Sequence, residues 1–323
     1  MHSPFFIITI DTEGDNLWKN SHRATTRNAM YLDRFQRLCE RFDFKPVYLV
    51  NYEMANDPVF QAFGRRLVAN ATGEIGAHIH AWNNPPLINI TDDDRKYKPY
   101  LIEYPDEVMR EKFSITHHLL ESVFQTEIVS HRAGRWAFDS RYAKLLTEFG
   151  YRVDCSVTPE VDWRSTLGHP AGTGGSHYRA FPKHAYFMNL NKIDSVDPSS
   201  PLLEVPMTTR LKYHPFINGA KKILARLRKK EIRASVSWLR PNRNNLSQMQ
   251  RLAARCLAEP ETDYLEFMLH SSELMPGGSP TFHDEADIEN LYCDLEILFA
   301  DIKQRCRSAT LREYARYKHD ASA

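Results

Sequence analysis

Seven short apolar segments, rich in β-branched and aromatic residues, recur along the chain, and this recurrence constrains the fold more than any other feature. They are FFIITI (5–10), KPVYLV (45–50), EIGAHI (74–79), EIVSH (127–131), YRVDCSV (151–157), LLEVPM (202–207) and YLEFML (264–269). Each has the length and composition of a buried strand. Between most of them lie stretches of helical period: Phe35, Leu38, Cys39 and Phe42; Val108, Lys112, Thr116, Leu119, Leu120 and Val123; and Ile288, Leu291, Tyr292, Leu295, Leu298, Phe299 and Ile302. Strands alternating with helices imply a parallel sheet joined by helical crossovers. Such a sheet is either open or closed into an incomplete barrel.

The position of the chemically competent side chains favours the barrel. Asp11, Glu13 and Asp15 follow the first segment, His78 and His80 fall in or just after the third, and His131 and Arg132 end the fourth. Asp154 lies in the fifth and His270 ends the seventh. In a parallel α/β barrel the carboxyl ends of all strands open onto one face, so these residues would converge there. An open doubly wound sheet would gather fewer of them, at its switch point. A chain of 323 residues fits one such domain.

Alternation along a strand also pairs the candidates. His78 and His80 are two apart and face one side, with Ile79 turned to the other; by the same alternation Asp11, Glu13 and Asp15 share a face. Two imidazoles, one carboxylate and an open position make a common catalytic zinc site, so Glu13, His78 and His80 are the expected ligands of a divalent metal, with Asp11 free to act as a base beside it. Taken alone, the HxH pair is weak, and satisfied or surface histidines are its ordinary alternative.

In order, ITIDTEG, EIGAHIHAW, HRAGRW, YRVDCSV and FMLHSSEL resemble the five motifs of the polysaccharide deacetylase family (NodB homology, related to carbohydrate esterase family 4). They resemble most its branch named for WalW of lipopolysaccharide biosynthesis. The likeness covers roughly residues 5 to 300. It implies an irregular seven-stranded (β/α) barrel, in agreement with the strand count, and a metal-dependent N-deacetylase. By the same resemblance Asp11 would be the base and Glu13 an acidic ligand. The family's two histidine ligands are usually spaced HxxxH; the first matches His78, but Trp82 stands four residues later, so His80 would take over. Arg132 would orient Asp11, and Asp154 would orient the acid, His270. Cys155 occupies a place where the family often has tryptophan, so the substrate groove would be shaped by others, with Trp82, Arg135, Trp136 and Trp163 as candidates. The expected reaction is removal of an N-acetyl group from an amino sugar, in a polysaccharide or a nucleotide- or lipid-linked precursor. The alternatives are a non-catalytic carbohydrate-binding or scaffolding protein on the same fold, and a hydrolase of amides that are not sugars.

Composition adds the surroundings. A net charge of +1 gives no sign of a nucleic-acid partner, and five scattered cysteines without a CxxC pair fit a reducing compartment. With no signal-peptide pattern and no run long enough to span a bilayer, a cytoplasmic place is expected. The connection 160–184 is long enough to suggest a role at the site. Residues 210–255 hold thirteen Lys or Arg against one acid, Glu231. Their core, AKKILARLRKKEIRASVSWLRP, reads as a basic amphipathic helical insertion. It is either a solvated face or, with Ile223, Leu224, Leu227, Ile232 and Trp238, a peripheral membrane contact.

Overall fold

The computed structural model describes residues 3–19, 23–166, 174–212 and 235–322. All seven expected segments contain strands: β1 (Phe5–Thr12), β2 (Val47–Val50), β3 (Glu74–Ile79), β4 (Ser130–Ala133), β5 (Val153–Asp154), β7 (Leu203–Glu204) and β10 (Tyr264–His270). They lie parallel in the order β10-β1-β2-β3-β4-β5-β7, and the short β6 (Tyr186–Phe187) adds antiparallel to β7. The sheet curls into an irregular barrel. Its last gap, between the chain after β7 and β10, is bridged by single bonds. The amide of Glu266 donates to Thr208 Oγ1 (2.8 Å), while Leu239 is inserted between the two, its N–H on the Thr208 carbonyl (3.1 Å) and its carbonyl accepting from Met268 (3.2 Å).

The seven parallel strands are buried on both faces, as covered parallel strands are. Phe6, Ile8 and Ile10 of β1 pack outward into the main core, with Phe35, Leu38 and Cys39 of the helix Leu32–Arg41 and Leu295, Leu298 and Phe299 of the helix Glu285–Lys303. The inner face of β1 changes character along its length. Phe5 and Ile7 join Val47, Leu49, Val153, Leu203 and Val205 in a second apolar cluster, closed from below by Leu311 and Tyr314 of the C-terminal helix Leu311–Ser322. Above it come Thr9, then Asp11, then Glu13. The barrel is thus apolar at its floor and ionic at its mouth. A strand β11 (Arg307–Ser308), paired with β1, leads into that last helix.

At its described ends the basic stretch is not helical throughout. Residues 213–234, with most of the expected amphipathic segment, lie outside the described residues. What is described on either side is a hairpin of β8 (Thr209–Leu211) with β9 (Val236–Trp238), then the helix Leu246–Leu257. Trp238, expected on the interfacial face, sits in β9 with its ring 6.0 Å from Trp136 and 6.2 Å from Trp163. Among the described residues no helix is long and apolar enough to cross a membrane, and all five cysteines are free thiols.

Candidate active site

Register brings the site together. Asp11 is paired with His270 across β1 and β10, and His78 with Arg132 across β3 and β4. One cavity of about 390 Å³ at the strands' carboxyl ends is lined by Asp11, Glu13, His78, His80 and His270. Trp82, Arg135, Trp136 and Trp163, all expected at the groove, line it as well.

Glu13 Oε2 is 2.7 Å from His80 Nε2 and 3.5 Å from His78 Nε2, and the two Nε2 atoms are 3.1 Å apart. All three side chains are buried, and their donor atoms lie within 4.8 Å of one another, as ligands of one ion must. The second nitrogen of His78 fixes its tautomer: Nδ1 donates to the Arg132 carbonyl (2.9 Å), so in the neutral ring Nε2 keeps its lone pair towards Glu13. The Glu13 backbone is tied in place. Its N–H donates to Ser271 Oγ (3.1 Å), and its carbonyl accepts from the buried Asn28 (2.8 Å). Asp15 does not share this face, because β1 ends at Thr12 and the carboxylate turns away to Arg27 (2.8 Å).

The electrostatics fit a cation site. Burial alone would raise the Glu13 carboxyl, but hydrogen bonds from His78 and His80 hold it well below the usual range. Burial pushes His80 down to about 4, against the pull of Glu13, so its ring is neutral near pH 7. Burial opposes charge on His78 too, yet Asp11 and Glu13 raise its pKa. The carboxylates therefore demand positive charge, which a proton on His78 or a divalent ion would satisfy. The shifted HxH pair fits a metal with nitrogen and oxygen ligands.

Asp11 is held by Arg132, among the largest fully buried side chains of the described residues. Arg132 Nη1 donates to Asp11 Oδ1 at 2.5 Å, and Nη2 donates to Thr9 Oγ1 (2.7 Å) and to Glu266. Burial would raise the Asp11 pKa, but the charges of Arg132, His78 and His270 bring it below its ordinary value. The charge relations expected for Arg132 and Asp11 are therefore present.

Asp154 is a correction. Its neighbours Val153 and Cys155 belong to the cluster inside the barrel, so Asp154, one residue out of phase, faces the surrounding helices. There it accepts from His131 Nδ1 (2.7 Å) and from Ser156, while Tyr142 donates to His131 Nε2 (2.8 Å). His131 and Asp154 form a buried structural pair beneath the helix Ser140–Glu148. The carboxylate that meets His270 is Glu273, with Oε2 3.4 Å from Nδ1. Arg240 Nη2 lies 3.0 Å from the same Nδ1 and bonds Glu273 at 2.9 Å. Nδ1 thus meets a donor, the Arg240 guanidinium, when the ring is neutral and an acceptor, the Glu273 carboxylate, when the ring is charged; in both forms the remaining proton is carried by Nε2. That nitrogen faces the cavity, 3.7 Å from Asp11 and 3.8 Å from Glu13. Burial would raise Glu273, but Arg240 and His270 keep it down at about 2, fully ionised. Glu273 stands three residues after His270 in the quoted HSSE, and that spacing was the available signal. Nothing local in the sequence marked Arg240, Trp18 or Tyr100 as cavity residues.

The segment after β4 supplies a wall. Arg135 and Trp136 both adopt left-handed backbone, φ 53° and 59°, which costs non-glycine residues on the order of 1–3 kcal/mol each. Gly134 permits the turn's close approach to His80: a Cβ there would stand 2.6 Å from His80 Nδ1 and 2.5 Å from the Ile79 carbonyl. Gly134→Ala is therefore expected to push the His80 ring aside and to weaken metal affinity by about 10–100-fold, as loss of a supporting contact does. Zinc titration of the folded variant checks this; unchanged affinity would show that the ring has room to move.

Fold and cavity together define a class: an α/β barrel with three histidines and two carboxylates gathered at the carboxyl ends of its parallel strands. Neither a family model nor a curated protein matches the chain. Solved structures do share its fold. A candidate glycoside hydrolase/deacetylase from Parabacteroides distasonis aligns over 97% of this chain and 71% of its own, at TM-score 0.61 and 9% identity. A candidate polysaccharide deacetylase from Mycobacterium smegmatis aligns over 99% and 92%, at TM-score 0.53 and 14% identity. A 4-alpha-glucanotransferase from Thermococcus litoralis aligns over 97% of this chain and 40% of its own, at TM-score 0.54 and 12% identity. The chain thus has the polysaccharide deacetylase fold, in company that also includes a glucan-transferring enzyme.

Proposed function

We propose that the protein is a metal-dependent hydrolase that removes an N-acetyl group from an amino sugar. The observation that carries this reading is the separation of roles within one cavity: an ionised Asp11, a His270 with its proton on Nε2, and between them the Glu13–His78–His80 grip. The metal, with zinc as the best match to this ligand set, would supply carbonyl polarisation and acidify water. The rest is the work of the chain. Asp11, kept charged by Arg132, accepts the proton of the attacking water. His270, protonated on both nitrogens with Nδ1–H turned to Glu273 Oε2 (3.4 Å), gives its Nε2 proton to the leaving nitrogen and returns to the neutral ring, while Arg240 holds Glu273 in place (2.9 Å). Trp18, edge-on to His270 with centroids 5.0 Å apart, together with Trp82 and Trp136, offers apolar faces to a sugar ring.

The test is acetate release by zinc-loaded protein from N-acetylated hexosamine oligomers, with chelator as control. Asp11→Asn is expected to lower the rate by about a hundredfold or more. Zinc-loaded protein that releases no acetate from any N-acetyl sugar would overturn the reading. Acetate released only from amides that are not sugars would move the protein to another hydrolase class.

A further inference from the structure

Three arginines line or enter the cavity region, and their situations differ. Arg132 is matched by Asp11 and Glu266, and Arg240 by Glu273. Among the described residues Arg135 has no carboxylate within 4 Å and no hydrogen-bond acceptor; it lines the cavity and stacks on the face of Trp82, 4.8 Å from the ring centroid, while Tyr100, Glu13 and Glu103 act on its charge from farther away. Trp82 in turn lies 4.4 Å from the His80 ring. A half-buried, unmatched guanidinium is thus fixed one aromatic ring away from a metal ligand.

Two features make this placement costly unless something compensates it. The left-handed backbone of Arg135 is a conformation that glycine or asparagine adopts far more readily. Its positive charge also stands beside a grip built for a divalent cation, and like charges at such range repel. Glu13 and Glu103 offset it only in part: neither comes within 4 Å, and Glu13 is itself engaged by both imidazoles. An anion from outside would answer the charge and offset the cost of the conformation.

We propose that the cavity takes a substrate bearing an oxyanion, a carboxylate or a phosphate, close to the scissile amide, and that Arg135 is the residue that selects it. This rests on the hydrolase reading above. The planar fork of a guanidinium matches either oxyanion through two parallel hydrogen bonds, and stacking on Trp82 holds the fork in a fixed plane. A neutral sugar would leave the Arg135 charge unanswered.

The experiment is equilibrium binding by calorimetry, with and without zinc, of three probes: methyl N-acetylglucosaminide, N-acetylglucosamine 1-phosphate and N-acetylglucosaminuronate. Wild-type protein is expected to bind at least one anionic probe about tenfold or more tighter than the neutral one, the usual worth of hydrogen bonds to a charged group. The stronger of the two identifies phosphate or carboxylate. Arg135→Asn, which keeps a residue tolerant of left-handed backbone, is expected to abolish the difference, and Arg135→Lys to retain part of it. Equal binding of neutral and anionic probes, no binding of any, or a preference that survives in Arg135→Asn overturns the proposal; the last would place the anion on the metal instead. Acetate release measured on the same probes separates the two readings. An Arg135-dependent preference without acetate release leaves the anion site standing and removes the hydrolase, whereas equal release from all three does the reverse.

Discussion

Protein purified with zinc present is expected to carry about one ion per chain, and Glu13→Ala, His78→Ala and His80→Ala are each expected to lose it. Removing any of three ligands should cost more than the 10–100-fold typical of supporting residues, so stoichiometric binding should vanish at micromolar zinc. Metal analysis of dialysed protein reads the result directly, and the fold should survive, because the three side chains sit at the barrel mouth above an apolar floor that they do not touch. The His80 variant is the most informative. Its Nε2 makes the shortest contact with Glu13, 2.7 Å, and it stands where an HxxxH spacing would not place a ligand. Full affinity in His80→Ala would mean that another group completes the site. A folded wild-type protein that takes up no zinc would promote the non-catalytic, carbohydrate-binding alternative.

The second large effect is expected at Arg132. Its guanidinium is fully buried against two carboxylates and a threonine, so Arg132→Leu leaves Asp11 and Glu266 uncompensated inside the barrel. Breaking a buried ion pair from one side typically costs about 3–5 kcal/mol, measurable by urea denaturation. Burial already pushes Glu266 up to about 7, which makes it the cheaper of the two carboxylates to neutralise. The double variant Arg132→Leu/Glu266→Gln should therefore regain part of the stability. It should not regain activity, because Asp11 would still lack the cation that keeps it ionised. Recovery of both together would show that Arg132 serves only the fold, and a stable single variant would show that water or another cation replaces it.

The site shows how far residue patterns carry. Asp11, Glu13, His78 and His80 were legible because each pair lies on a strand or one residue past its end, where the two-residue period still decides which side chains share a face. His270 was legible as the polar end of an apolar run. Asp154 was misplaced for the same reason that the others were placed well: it also ends a strand, but its parity turns it outward to His131. Parity relative to the barrel axis depends on which neighbours face inward, here Val153 and Cys155, and a two-residue strand offers no internal pattern from which to read it. Glu273 was visible in the sequence and yet unassigned, since its role depends on the chain turning back so that both its oxygens meet His270 and Arg240.

What the sequence by itself determined are the seven strands, the helices between them, and the facing of residues within a single strand. All are set by local periodicity, which reports burial over a few residues. Only the tertiary structure decided how the barrel closes, through Thr208 and Leu239 and not through a ladder; what fills its floor, the helix Leu311–Ser322; and which partners meet across it, Arg132 with Asp11 and Arg240 with His270. These are contacts between residues 30 to more than 250 positions apart. Their energies depend on distance in space, to which local pattern is blind. The left-handed turn at Arg135 belongs with them, because a conformation that the residue itself disfavours is held only by the packing around it.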